Sequence, residues 1–146
     1  MNKHFEEDYR ARIAIEREFD EAKTDEAREI ARTKMQNLNE AINHRGKNYC
    51  RILEAFLDMK ERKNELLDFG RRTIWEKDIP EIVESLEENG IETFTFSARC
   101  TDAIETAAKF EEAGCRLIGL IKINDYLPEL FGGEYKKMPA LLFKLR

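Results

Sequence analysis

The chain changes texture near Gly70, and that change limits what it can fold into more than any other feature. Before it the sequence is charged, helical in pattern and free of proline. After it come two short apolar runs, IETFTFS at 91–97 and RLIGLIKI at 116–123, separated by one helix-length segment. Such spacing specifies a strand, a helix and a second strand. The chain therefore predicts an α+β fold: an N-terminal arm of two or three helices, then a small three-stranded mixed sheet with two flanking helices. The division falls at residues 1–70, the helical arm, and 71–146, a small α/β domain with a βαβ crossover and a C-terminal antiparallel strand.

Within the arm, residues 3–22 read as a first helix, with Phe5, Tyr9 and Ile13 four apart and facing inward. Thr24 followed by Asp25 and Glu26 has the form of an N-cap with an acidic first turn, so a second helix starts there. Ala27, Ile30, Ala31, Met35, Leu38, Ala41 and Ile42 give it an amphipathic stripe. Gly46 interrupts the pattern. Tyr49, Ile52, Leu53, Phe56 and Leu57 form a third face, which fades between Lys60 and Asn64. These faces need partners, because helices gain most of their stability from packing.

The joint is LLDFG and RRTIW, 66–75. Asp78 and Pro80 open a helix, and Asn89-Gly90 closes it. IETFTFS alternates, with Phe94 and Phe96 on one face and Thr93 and Thr95 on the other. A helix follows over 101–113, with Ala103, Ile104, Ala107, Ala108 and Phe110 inside. RLIGLIKI is the second strand, joined to the first by a parallel right-handed crossover. Residues 124–139 read as a long connection, and ALLFKL at 140–145 as a final strand antiparallel to its predecessor.

Composition excludes several function classes. The net charge is −5 and the charged fraction 38%. Neither half carries an excess of basic residues, so the broad electrostatic footprint of a nucleic-acid-binding domain is missing. A local basic set at Arg71, Arg72, Lys136 and Lys137 is the one route to a nucleic-acid-binding regulator. The opening MNKHFEEDYR reads as neither a signal peptide nor a transit peptide, and no apolar run is long enough for a membrane span. Cys50, Cys100 and Cys115 are odd in number and widely spaced, which implies no disulfide framework and a reducing, cytoplasmic setting. With His4 and His44 as the two histidines, no metal site and no cofactor are expected.

The turn SARCTD at 97–102 is the best-placed site for chemistry, at the carboxyl end of a strand and the start of a helix. Ser97, Arg99, Cys100 and Thr101 are its anion-binding candidates, and they support an alternative reading as a small ligand-binding or enzymatic domain. The turn lacks the glycines that wrap a phosphate, so a plain helix cap at Thr101 is the favoured reading. His4 and His44 sit on the charged arm, remote from the cysteines, and read as solvated. The acidic pairs Glu6/Glu7, Glu87/Glu88 and Glu111/Glu112 diverge on a helix. The acidic stretch 76–92 reads as a solvated helix face rather than a mimic of a nucleic-acid backbone. No catalytic residue is assigned.

Aromatic and aliphatic groups gather instead where a loop is expected: Tyr126, Leu127, Leu130, Phe131 and Tyr135, around Gly132-Gly133. Such groups are enriched at protein contacts; the alternative is a loop folded back over the sheet. Trp75, at the joint, is read as a buried hinge residue with the same second role as a partner contact.

The blocks NELLDFG, IW, EIVESLEENGIETFTFS, AIETAAKFEEAGCRLIGLIKIN and the closing LLFKL resemble a family of unknown function associated with plasmids, phages and conjugative elements of Gram-positive gut bacteria. The resemblance covers about residues 60–146 and, more weakly, the helical arm. It brings no catalytic residues, and it implies a context in which small acidic proteins grip a host or element protein, as anti-CRISPR inhibitors of defence nucleases do. EEAGCRLIGLIKI is also similar to the closing helix and strand of acetyltransferase folds, but the glycine-rich turn that would hold coenzyme A is not in the sequence. The expectation is thus a non-enzymatic protein-binding module with a protein partner, a homodimer through the helical arm, contact with nucleic acid only through that partner, and no membrane.

Overall fold

The computed structural model describes residues 1–70, 74–97, 102–128 and 135–146. Three helices come first: α1 (His4–Glu21), α2 (Asp25–His44) and α3 (Lys47–Glu61). The Thr24 hydroxyl accepts the Ala27 amide at 3.1 Å and so starts α2 as a capping residue should. Gly46 turns the chain from α2 into α3 with φ of +102°, a backbone shape that a side chain disfavours. A short 3-10 turn, Glu76–Asp78, leads into α4 (Ile79–Glu88), followed by β1 (Thr93–Phe96), α5 (Ala103–Glu112), β2 (Cys115–Pro128) and β3 (Tyr135–Leu145).

The architecture is α+β, but the sheet corrects the expected mixed pairing. Its order is β1-β3-β2, and both pairings are antiparallel. β1 and β2 therefore run in the same direction without touching, and β3 fills the gap between them. The parallel contact is elsewhere: the joint lies beside β1 at Asp68, where the Thr95 amide donates to the Leu67 carbonyl at 2.8 Å and the Phe69 amide to the Thr95 carbonyl at 3.0 Å.

The connection expected over 124–139 is mostly strand. β2 and β3 form a long ribbon paired from Cys115 with Leu145 out to Pro128 with Tyr135. Asn124, Asp125, Pro128 and Pro139 read as strand breakers in isolation, but an antiparallel partner along the whole ribbon overrides those local preferences.

One continuous core joins the arm to the sheet. Phe5 stacks on Tyr49 and Phe56, with ring centroids 4.8 and 5.5 Å apart. Further along, Phe94 packs on Phe110 at 5.2 Å and on Phe143 at 5.5 Å. Fully burying each such ring contributes roughly 1.5–3 kcal/mol. Three inward assignments are corrected. Ile13 is exposed, because α1 meets α3 through its first turns and the stripe then leaves the core. Ile104 and Ala108 are also exposed. Thr106 and Phe110, one turn apart, face the core from α5, and Ile104 lies two residues before Thr106, on the opposite side of the helix. Thr95, on the face opposite Phe94 and Phe96, is buried too, because the joint covers that side of β1.

Candidate functional site

Behind the sheet lies a buried polar junction that holds the start of the 97–102 turn. Arg62 caps α3 from within the core, 1% exposed. Its guanidinium reaches Asp58 at 3.1 Å and Asp68 at 2.8 Å, and its Nε donates to the Asn124 carbonyl at 2.8 Å. Asp68 in turn accepts the Thr95 hydroxyl at 2.9 Å, the Ser97 amide at 2.9 Å and the Ser97 hydroxyl at 2.5 Å. A buried carboxylate accepting several hydrogen bonds beside a guanidinium is well satisfied. Ser97, the first of the anion-binding candidates, is buried, and both its donors are given to a carboxylate. Arg99, Cys100 and Thr101 lie outside the described residues.

A second buried cluster ties α1 to α3. Asp8 accepts the Tyr49 hydroxyl at 2.5 Å and the Arg45 Nε at 3.0 Å. Burial, reinforced by Asp8, pushes the Tyr49 hydroxyl well above its ordinary pKa. Burial likewise pushes the Cys115 thiol up to about 11, and it raises Cys50, which is half-buried in α3. Neither described cysteine is poised as a thiolate nucleophile.

Two clefts flank these clusters. One, of about 460 Å³, opens between α3, the joint and α4, and includes Lys47, Arg51, Asp58, Asp68 and Glu81. Lys47 and Arg51 both bind Glu81, at 2.9 and 2.7 Å, and together hold its carboxyl below the usual range. The other cleft, of about 780 Å³, is lined by Asn2, His4, Arg45 and Glu84 among others. His4 binds Glu7 at 2.8 Å, and His44 is exposed at the end of α2. Among the described residues no group of three or more histidine, cysteine or acidic side chains is placed to hold a metal ion.

The partner-binding candidates separate. Tyr126 and Leu127 fall within β2, while Leu130 and Phe131 lie outside the described residues. Tyr135 opens β3; its hydroxyl donates to the Glu61 carbonyl at 2.6 Å, and Lys63 sits 5.9 Å from its ring centre, so it ties the ribbon to the arm. Trp75 corrects the buried-hinge expectation: it is 64% exposed, because it precedes the 3-10 turn in extended backbone and its ring leaves the core. Of the basic set, Lys136 is exposed, Lys137 donates to the Asn124 side chain, and Arg71 and Arg72 lie outside the described residues.

The surface that sequence reasoning missed is the outer edge of β2 with the adjoining side of α5. Ile104 is 83% exposed, Leu120 72%, Ile118 51% and Leu117 40%. The Glu111 carboxylate accepts the Leu117 amide at 2.7 Å, which fixes one side of α5 against that edge. Ile104 stands seven residues before Glu111 and shares its side of the helix. α5 rises 1.5 Å per residue and β2 about 3.3 Å, so Ile104 comes level with Leu120. Together these four open aliphatic chains present on the order of 400 Å² of apolar surface, the size of the largest such patch on an ordinary monomer, which is often functional. The signal in the sequence is the run LIGLI, whose apolar pattern gives a strand without stating which of its side chains face out.

No helix is long and apolar enough to cross a membrane among the described residues. A family model described as Domain of unknown function (DUF7698) matches residues 51–145. No curated protein and no solved structure matches the chain.

Proposed function

Because this chain belongs to the DUF7698 family of unknown function, we propose that it is a non-enzymatic protein-binding module. The observation that carries this reading is the exposed aliphatic band of Ile104, Leu117, Ile118 and Leu120. A monomer gains nothing from leaving such a band in water, whereas a partner that covers it gains the hydrophobic term. Exposed Trp75 adds an aromatic contact of the kind that anchors interfaces. The buried polar clusters support the same reading, since their donors and acceptors are spent on one another rather than turned toward a ligand. In its sharpest form the module belongs to a mobile genetic element and blocks a host defence nuclease, as anti-CRISPR proteins do.

Affinity purification from a native host, paired with a nuclease-inhibition assay, tests this. A stoichiometric protein partner that is lost from the Ile104→Asp/Leu120→Asp variant is expected. Recovery of no partner, or a metabolite that raises the melting temperature in a thermal-shift panel, would overturn it. Self-association through the arm is a further part of the reading: Ile13, Phe19 and Ile30 are exposed on the α1–α2 hairpin. Light-scattering mass at micromolar concentration is expected to give a dimer that Ile30→Glu dissociates.

A further inference from the structure

The two outer edges of the sheet are treated differently. The outer edge of β1 is covered by the joint, which bonds to both the amide and the carbonyl of Thr95. Among the described residues, the outer edge of β2 is closed at its two ends alone. At one end Glu111 takes the Leu117 amide. At the other, the Asn124 amide donates to the Asn64 side chain at 2.8 Å and its carbonyl accepts Arg62 at 2.8 Å. These bonds show that the Asn124 backbone faces away from β3. The two-residue period of a strand turns the backbones of Lys122 and Leu120 the same way. Among the described residues nothing caps those groups. An uncovered edge of this kind is a template for another strand.

The side chains around the gap state what would fit it. Leu120, Ile118 and Leu117 lie along the edge, and Ile104 is exposed on the Glu111 side of α5, level with Leu120. At the two ends of this stretch are Arg116 and Lys122, both exposed and neither in an ion pair among the described residues. Lys144, opposite Arg116 in the β2–β3 register, is exposed as well. The chain as a whole is acidic, at −5, so three exposed cations along these strands, unpaired among the described residues, run against the overall charge.

We propose that the open stretch from Leu117 to Lys122 receives an extended segment of another protein as a fourth strand. That segment is apolar at alternate positions, which meet Leu120 and Ile104, and it carries acidic residues at both ends, which meet Arg116 and Lys122. The proposal rests on the protein-binding reading and adds the recognition chemistry to it. A second copy of this chain fits the gap poorly. Two β2 edges paired antiparallel about the open groups would set the two Lys122 ammonium groups on a close diagonal, and both chains carry the same net charge.

Selection from a displayed library of short random peptides on the full chain, followed by fluorescence anisotropy of the enriched peptides, tests this. The expected peptides alternate apolar residues between acidic ends. Their binding weakens roughly tenfold in Lys122→Glu and in Arg116→Glu, the scale of a lost charge contact, and peptides with lysine ends prefer those variants. A proline placed at the centre of the peptide abolishes binding by removing a strand amide. Both substituted positions are exposed, and an unchanged melting temperature confirms that the fold is kept. No enrichment, or enriched peptides that bind wild type and charge-reversed variants equally, overturns the proposal. So does a wild-type dimer that becomes monomeric in Lys122→Glu. If the Arg116→Glu/Lys122→Glu variant still captures the native partner, the strand proposal fails and the binding module stands. If neither peptides nor a partner bind, both fall.

Discussion

Arg62 and Asp68 meet at 2.8 Å with each side chain 1% exposed, and each is held in place by groups from a different element. Asp58 comes from α3, Asn124 from β2, and Thr95 from β1. Removing Asp68 strips the buried guanidinium of one of its two carboxylates and leaves the Thr95 hydroxyl and both Ser97 donors without the acceptor they share. Asp68→Ala is therefore expected to destabilise the fold by about 3–5 kcal/mol. Urea unfolding measures this, and a loss below about 1 kcal/mol would mean that Asp58 and the Asn124 carbonyl alone satisfy the guanidinium. Replacing Arg62 and Asp68 together should not recover the loss, because the buried Asp58 carboxylate then loses the guanidinium it meets at 3.1 Å.

Gly70 sits directly against the Ser97 backbone and hydroxyl, where a Cβ has no room. Gly70→Ala must push the joint away from the end of β1. The expected cost is about 1–3 kcal/mol, typical of overpacking. Two-dimensional NMR should show the largest amide shifts at Asp68 and Ser97. Unchanged shifts there would mean that the joint does not lie against β1 in solution.

Alkaline pH should weaken the fold in two steps. Cys115 titrates near 9.0 when exposed and is pushed up to about 11 in the fold by burial first and by the Glu87 carboxylate second. The folded state therefore holds its proton longer than the unfolded state. Its contribution is fully present below about pH 9 and is lost as pH rises from there through the folded value. Tyr49, raised from 10.0 by burial and by Asp8, acts in the same direction at higher pH. Melting temperatures of wild type, Cys115→Ala and Tyr49→Phe across this range should show a shallower alkaline decline in each variant. Parallel curves would remove both groups as the cause.

The single tryptophan makes surface occupancy visible. Trp75 is largely open, so its emission should sit near that of tryptophan in water and be quenched freely by acrylamide. A blue shift with protection from the quencher on partner binding would place the contact at the joint. Full quenching that persists in the complex would confine the contact to other surfaces.

Much of the helical arm was legible in the sequence because its signals are local. Thr24 caps α2, Gly46 turns into α3, and the stripe from Tyr49 to Leu57 faces the core. The sheet was less legible because strand order is a long-range property. Nothing local in IETFTFS or RLIGLIKI states that β3 lies between them, and Pro128 and Pro139 concealed a ribbon specified by its cross-strand pairs. The buried junction escaped for a related reason: Arg62, Asp68 and Ser97 each look like solvated or turn residues until the fold brings them together. The exposed band was hidden by its own hydrophobicity, since periodicity cannot tell an inward leucine from an outward one at a sheet edge.

β3 is the last of the three strands to leave the ribosome, yet every ladder bond between named strands runs through it. A nascent chain stalled before Tyr135 carries two strands that share no hydrogen bonds, and its phenylalanine cluster lacks Phe143. Closure of the sheet must therefore wait until β3 has emerged, and a chain cut short before that point offers proteases two unsealed strands where the three-stranded sheet offers a folded domain.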